Sequence, residues 1–267
     1  MKAAQHLFDI LWKDYLGQNP EVKRIYDLFV GEGERVVNDH IAFRTYDDPR
    51  INIDVLAKPF IEAGYEYRGE YVFEQKHLFA RHFELKAFKD APRIFISELQ
   101  TKKFSPYVQE TVKELVDAIP EDMLKSEKLA LSGNLWGQPR YDVYEKLKKE
   151  SEYAAWVYVY GFRANHFTVS INALKKFDTI QKVNQLLKDN GFSLNDSGGE
   201  IKGTPAELLE QSSTNAGKLP IKFVEGTYTI PSCYYEFAKR YPDKDGNLYG
   251  GFIAKSADKI FESTDNK

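Results

Sequence analysis

A single cysteine, Cys233, stands in 267 residues, which excludes an intrachain disulfide framework and makes the cytoplasm the expected location. There is no excess of basic charge either: 37 Lys and Arg face 40 Asp and Glu, for a formal net charge of −3. Without a basic footprint, nucleic acid is not an expected partner. No stretch approaches the roughly 20 apolar residues of a membrane span, so no membrane is expected. The start, Met1-Lys-Ala-Ala-Gln-His-Leu-Phe-Asp-Ile-Leu-Trp-Lys13, puts His6 and Asp9 inside its apolar stretch. It lacks the continuous core of a signal peptide and reads as an amphipathic helix. No Gly-rich phosphate loop, P-loop or nucleophile elbow occurs, and Ser197-Gly-Gly199 is turn chemistry only. Aromatic residues, in contrast, are plentiful: 18 Phe and 17 Tyr suit a sheet-rich core and a small-molecule pocket.

The chain also carries a repeat. Two segments begin with histidine and share a pattern, His40-Ile-Ala-Phe-Arg-Thr45 and His166-Phe-Thr-Val-Ser-Ile171. Each precedes a helix-like stretch ending in Gly and an aromatic residue, Glu62-Ala-Gly-Tyr65 and Asp189-Asn-Gly-Phe192. The distance from His to Gly is 24 residues in the first copy and 25 in the second. Both copies later reach a strand with a glutamate, Ile94-Phe-Ile-Ser-Glu98 and Cys233-Tyr-Tyr-Glu236. We therefore expect an α+β fold in a single domain over 1–267, with β-α-β-β-β modules at 38–100 and 164–238.

Residues 1 to 37 read as two helices, with Leu7, Ile10, Leu11 and Leu16 on one apolar face and Val22, Ile25, Leu28 and Phe29 on the next. In the first module a helix runs from Ile53 to Ala63 and stops at Gly64. Strands follow at Tyr65–Arg68, Leu78–Leu85 and Arg93–Glu98. Residues 104–153 read as a helical insert, expected to lie outside the cup that the modules form. In the second module the helix runs from Ile180 to Lys188. Thr204-Pro205 is expected to open a short inserted helix, because this copy is 12 residues longer from His to Glu. Strands are expected at Ile221–Val224 and Tyr228–Phe237, a turn-rich loop at 243–252 and a final helix at Ser256–Glu262, with frayed last residues.

Strand parity sharpens the histidine pattern, since side chains two apart share a face. His40, Ala42 and Arg44 point one way, and His166, Thr168 and Ser170 do so in the second copy. In both strands the opposite face is apolar and suits packing on a helix. Glu236 shares a face with Ser232 and Tyr234. Two histidines and a carboxylate are the usual protein ligands of a mononuclear Fe(II) site with open positions, so a metal-dependent oxygenase leads. Arg44 could neutralise a buried glutamate or clamp a substrate carboxylate. Glu98, as symmetric partner of Glu236, is open between a fourth ligand, a group supporting the ligands and a surface ion pair. His77 and His82 read as rim or surface residues, and Cys233 as a packed thiol.

At these residues the chain resembles a known family. Asp39-His-Ile-Ala-Phe-Arg-Thr45, Asn165-His-Phe-Thr168, Leu208-Leu-Glu-Gln-Ser-Ser-Thr214 and Tyr234-Tyr-Glu-Phe237 are similar to the 2-oxoadipate dioxygenase/decarboxylase family, first known as a domain of unknown function. The resemblance runs from about residue 38 to 255. It implies the vicinal-oxygen-chelate architecture, a cup of paired β-α-β-β-β modules also found in 4-hydroxyphenylpyruvate dioxygenase, extradiol dioxygenases and glyoxalase I. It implies His40, His166 and Glu236 as Fe(II) ligands and Arg44 as the residue binding a substrate carboxylate. The implied reaction consumes a 2-oxo acid and O2, turning 2-oxoadipate into 2-hydroxyglutarate and CO2. The alternatives are a glyoxalase-like metal-dependent isomerase or lyase, with Glu98 as fourth ligand, and a non-catalytic small-molecule-binding protein.

Overall fold

The structure is a computed structural model that describes residues 2–88, 90–126 and 128–264. The expected fraying of the last residues falls on 265–267, outside the described residues. The chain opens with two helices, α1 (Lys2–Gln18) and α2 (Pro20–Gly31), the second started by a proline at its first position. The first module follows as β1 (Asn38–Tyr46), α3 (Ile53–Glu62), β2 (Glu66–Phe73), β3 (Leu78–Glu84) and β4 (Arg93–Leu99). Asn52 caps α3 by accepting from Val55 N at 3.1 Å.

The insert supplies α4 (Pro106–Asp117), a single turn α5 (Glu121–Leu124) and α6 (Tyr141–Glu150). It runs on into α7 (Glu152–Tyr160), an element the sequence reading passes over. All of α7 from Tyr153 to Tyr160 is buried, so its sequence is apolar all round and shows no amphipathic stripe. Gly161 then turns the chain at φ 67°, where a Cβ would stand 2.2 Å from the Gly133 carbonyl oxygen.

The second module is β5 (Ala164–Ser170), α8 (Ile180–Asp189), β6 (Lys202–Thr204), β7 (Leu209–Ser213), a β8 (Lys218–Phe223)–β9 (Gly226–Pro231) hairpin, and β10 (Glu236–Arg240). This corrects three expectations. Thr204 and Pro205 start only one 3-10 turn, Pro205–Glu207, after which Leu208 adopts a left-handed φ of 64° and the chain enters β7. The extra length of this copy lies instead in the β8–β9 hairpin, which pairs with itself as a separate two-stranded sheet. The strand expected over Tyr228–Phe237 is broken at residues 232–235, so Glu236 opens a new strand.

The two modules form one eight-stranded sheet in the order β2-β3-β4-β1-β5-β10-β7-β6. Read outward from its centre, each half repeats the same sequence of strands, and β1 pairs antiparallel with β5 at the seam. The sheet is curled, because the last helix, α9 (Ala254–Phe261), touches both β2 at one edge and β6 at the other. A helix of eight residues is about 12 Å long, whereas eight flat strands would span more than about 30 Å.

The outer face follows the apolar parity. Phe43 of β1 packs on Phe60 of α3 at 5.3 Å, Phe167 of β5 on Trp12 and Tyr15 of α1 at 4.9 Å each, and Phe237 of β10 on Phe29 of α2 at 6.0 Å. The inner face carries the polar parity and is closed by α7 and α9. The helix against the cup, α7, lies almost wholly beyond the 104–153 insert.

Candidate metal centre and its cavity

The seam register brings the two histidines together. His40 of β1 pairs with Thr168 of β5, and Ala42 pairs with His166, so both imidazoles rise from the inner face. Glu236 pairs with Thr168 from the other side of β5 and joins them. His166 Nε2 lies 3.1 Å from Glu236 Oε2, and His40 Nε2 lies 3.5 Å from Glu236 Oε1. One ligand atom from each residue falls within 4.8 Å of the others, and all three residues are buried. Two imidazoles and one carboxylate at this spacing fit a single divalent cation.

The residue before each histidine fixes its orientation. Asp39 Oδ1 lies 2.8 Å from His40 Nδ1, and Asn165 Oδ1 lies 3.0 Å from His166 Nδ1. An oxygen at Nδ1 holds the proton there and leaves the Nε2 lone pair for a metal, the usual support behind ligating histidines. Burial lowers the pKa of His166, and His40 and Arg44 add to this against the opposing pull of Glu236, so the imidazole stays neutral. Burial alone would raise Glu236, but His40, His166 and a 2.5 Å hydrogen bond from Gln211 Nε2 outweigh it and keep the carboxylate ionised. Metal binding requires these two protonation states.

Behind Asp39 is a buried ion pair. Arg240 of β10 donates from Nε to Asp39 Oδ2 at 2.7 Å and from Nη2 to Oδ1 at 2.9 Å. Its Nη1 donates to the carbonyls of Tyr249 at 2.8 Å and Gly251 at 2.7 Å. The same guanidinium thus anchors His40, through Asp39, and the loop that brings Phe252 over it, with the Phe252 ring 4.8 Å from the His40 ring.

Arg44 has the expected parity but an unexpected setting. It is among the largest fully buried side chains of the molecule. Its guanidinium carbon lies 5.0 Å from the Tyr153 ring, 5.2 Å from Trp156 and 5.6 Å from Phe261, within cation–π range of all three. It forms no ion pair with any carboxylate of the described residues, and its Nε has no hydrogen-bond partner. It does not neutralise a buried glutamate.

Glu98 lies elsewhere. Two residues past His166 comes Thr168, opposite Glu236; two past His40 comes Ala42, opposite Phe95. The symmetric counterpart of Glu236 is therefore Phe95. Glu98 falls on the outer face, where its Oε2 accepts from Ile53 N at 3.0 Å at the start of α3. His82 also departs from expectation. It is 3% exposed on β3, held between Tyr71, Glu84 and the Phe252 ring, because the C-terminal loop covers that end of the cup. Cys233 is buried, as expected for a packed thiol.

Two further side chains, in the 208–214 and 234–237 segments, complete the surroundings of the cluster. Gln211 of β7 steadies Glu236. Tyr234 stacks on His166 with ring centroids 4.6 Å apart, and its buried hydroxyl, near Arg44, meets no hydrogen-bond geometry with any described residue. The cavity these residues share with Phe95, Phe252, Ile260 and Phe261 measures only about 20 Å³.

Paired β-α-β-β-β modules with a His-His-Glu cluster on the inner face of their shared sheet define a vicinal-oxygen-chelate architecture. Comparison with known proteins gives the particular family: the chain belongs to the 2-oxoadipate dioxygenase/decarboxylase family, whose model matches residues 13–246. It is 37% identical to the 2-oxoadipate dioxygenase/decarboxylase of Oryza sativa subsp. japonica, over 95% of this chain and 76% of that protein. It is similar to the crystal structure of the hydroxyglutarate synthase from Oryza sativa in complex with 2-oxoadipate, with a TM-score of 0.91 and 35% identity over 99% of this chain and 94% of that one. A Shewanella frigidimarina protein described on its structure only as a provisional hydrolase is 48% identical, with a TM-score of 0.88 over 94% of this chain and 98% of that one. Among the described residues no helix is long and apolar enough to cross a membrane.

Proposed function

We propose that this chain is a non-haem Fe(II)-dependent dioxygenase that oxidatively decarboxylates a 2-oxo acid, taking 2-oxoadipate and O2 to 2-hydroxyglutarate and CO2. The observation that carries the reading is Arg44: a buried cation without a carboxylate partner among the described residues, beside a His-His-Glu cluster. An uncompensated buried charge is costly to a fold and is kept where an anion completes it. The family supplies the matching anion, a 2-oxo carboxylate.

His40, His166 and Glu236 would hold the metal, with Asp39, Asn165 and Gln211 fixing their orientation. The bound metal would supply O2 activation and polarisation of the keto group. The Arg44 fork binds a substrate carboxylate and offsets its charge near Glu236. The free Tyr234 hydroxyl offers a neutral hydrogen-bond donor beside it. Phe95, Phe252, Ile260 and Phe261 exclude water, which strengthens each of these polar contacts. We place the chain in the cytoplasm, a reducing compartment that suits its lone buried thiol, although the rice relative is named as a plastid protein.

The test is anaerobic loading with Fe(II), then admission of O2 with a panel of 2-oxo acids. We expect one O2 consumed per CO2 released, with 2-hydroxyglutarate formed from 2-oxoadipate. A metal-loaded protein that takes up no O2 with any 2-oxo acid overturns the proposal. Turnover that persists without O2 would point instead to an isomerase or hydrolase. The isomerase reading drew on a fourth ligand, and Phe95 stands at the position where that ligand would be.

A further inference from the structure

The metal cavity, at about 20 Å³, holds no more than about one water. A six-carbon dicarboxylate must therefore come through a wall. A second, larger hollow of about 600 Å³ lies on the other side of Arg44 and Phe261. Phe261 lines both spaces. The hollow sits between the β2–β3 turn, the start of the insert and the α6–α7 junction, and Lys76, Lys103 and Lys148 line it together with Arg44.

The charges of this hollow are those of an anion receiver. None of the three lysines makes an ion pair among the described residues. Two carboxylates share the wall, and one is already engaged: Glu150 accepts from Ser105 N at 3.2 Å and Ser105 Oγ at 2.7 Å at the head of α4. Among the described lining residues, four cations face Glu152 and the engaged Glu150, with Asp258 and Glu262 near Lys76 beyond the wall. At the turn, His77 takes a left-handed φ of 53°, uncommon for a side chain of its size, and its ring packs edge-on to Phe104 at 5.4 Å on the same wall. At the inner end, the unpartnered Nε of Arg44 is buried. An excess of lining cations around a concavity that reaches a buried guanidinium, with no carboxylate partner among the described residues, raises the local concentration of a dianion.

We propose that this basic hollow captures the dianionic 2-oxo acid before reaction, and that the Phe261 ring is the partition the acid must displace to reach the metal cavity. The inference rests on the dioxygenase reading above and adds to it an entry route and the residues that build it. Lys76, Lys103 and Lys148 draw in the two carboxylates. Arg44 takes over one of them at the partition. Movement of Phe261 joins the two spaces, and its return excludes water.

The test uses the full-length, metal-loaded protein. A Lys76→Gln/Lys103→Gln/Lys148→Gln variant should lose about tenfold in kcat/KM for 2-oxoadipate at low salt, with kcat within about twofold of wild type. Its kcat/KM should no longer fall with added salt, and the loss should be smaller for 2-oxohexanoate, which carries one carboxylate. Phe261→Ala, with Phe261→Leu as the gentler variant, should speed anaerobic 2-oxoadipate association in stopped flow. It should also speed removal of the metal by a chelator, a readout that needs no turnover. Phe88→Ala, on the exposed surface, serves as control. A triple-lysine variant with wild-type kcat/KM and salt slope, or Phe261 variants with unchanged association and chelation rates, overturns the inference while leaving the dioxygenase reading intact. A wild-type protein that consumes no O2 with any 2-oxo acid overturns both.

Discussion

Arg44 is held by three aromatic rings and, among the described residues, by no acid. In the proposed role such a residue would serve its ligand at the expense of its own fold, which makes its variants informative. Arg44→Met removes an unpaired buried charge and should raise Tm in the absence of substrate. In wild type, 2-oxoadipate under nitrogen should raise Tm further by mass action, and in Arg44→Met that shift should vanish. Differential scanning calorimetry with and without the acid reads both effects; a variant that melts lower and still gains from substrate would show Arg44 to be structural. Arg44→Lys should keep its metal but lose most turnover through weaker, misoriented substrate binding, because an ammonium lacks the planar fork. Alanine at His40, His166 or Glu236 should abolish tight metal binding in a folded protein, as judged by metal content and circular dichroism. Glu98→Gln should keep the metal and cost about 0.5–1 kcal/mol through the start of α3. The sequence allowed the shared face of His40, Arg44 and His166 to be read, since parity within one strand needs no partner. The mistaken equivalence of Glu98 with Glu236 arose because matching positions in different strands depends on register. Register is set by pairing, and Phe95 rather than Glu98 is paired opposite Ala42.

At the scale of elements, helices and strand order in the first module were readable from periodicity and from Gly64. The break before β10, the β8–β9 hairpin and α7 were not. The first two are decided by which neighbours a strand finds, and α7 is apolar on every side. Elements are also where the buried charges act. Arg240 links β10, β1 and the 249–251 loop through one guanidinium. Arg240→Gln should destabilise the protein by up to about 3–5 kcal/mol, because buried Asp39 loses its bidentate partner and keeps only the longer 3.6 Å pair with Arg93. It should also weaken metal binding by about 10–100-fold through the orientation of His40. Urea melts and metal titration measure the two separately. Between β3 and β4, the neighbouring His82 and then Arg93 hold the Glu84 carboxyl down at about 2, from an ordinary 4.5. A carboxylate whose pKa is lowered by folding contributes stability fully above the unfolded value and loses it as pH falls through the folded one. Glu84 therefore supports the fold above about pH 4.5, and that support fades toward about pH 2. Glu84→Gln should flatten the decline of stability in that window; an unchanged acid profile would assign the decline to other groups.

Over the whole molecule, the duplicated module was visible in two histidines and two glycines, and the sheet order bears it out. The asymmetry between the halves was hidden, yet it decides the chemistry: only one half contributes a carboxylate. Phe95→Glu would restore the symmetry by placing a fourth ligand, a second carboxylate, on the His40 side. It should tighten metal binding while suppressing O2 uptake, because a filled position is closed to substrate. The two measurements are chelator competition and an oxygen electrode, and unimpaired uptake would show that Phe95 lies outside the ligand sphere. One consequence follows from where the seam falls. His40 comes from one half of the chain, and His166 and Glu236 come from the other, so the three meet only when β1 and β5 are zipped together. A nascent or partly unfolded chain cannot gather the set. With these three as the proposed metal ligands, oxygen chemistry would be withheld from every immature copy of the protein, and competence to use oxygen would itself certify that both halves have been assembled.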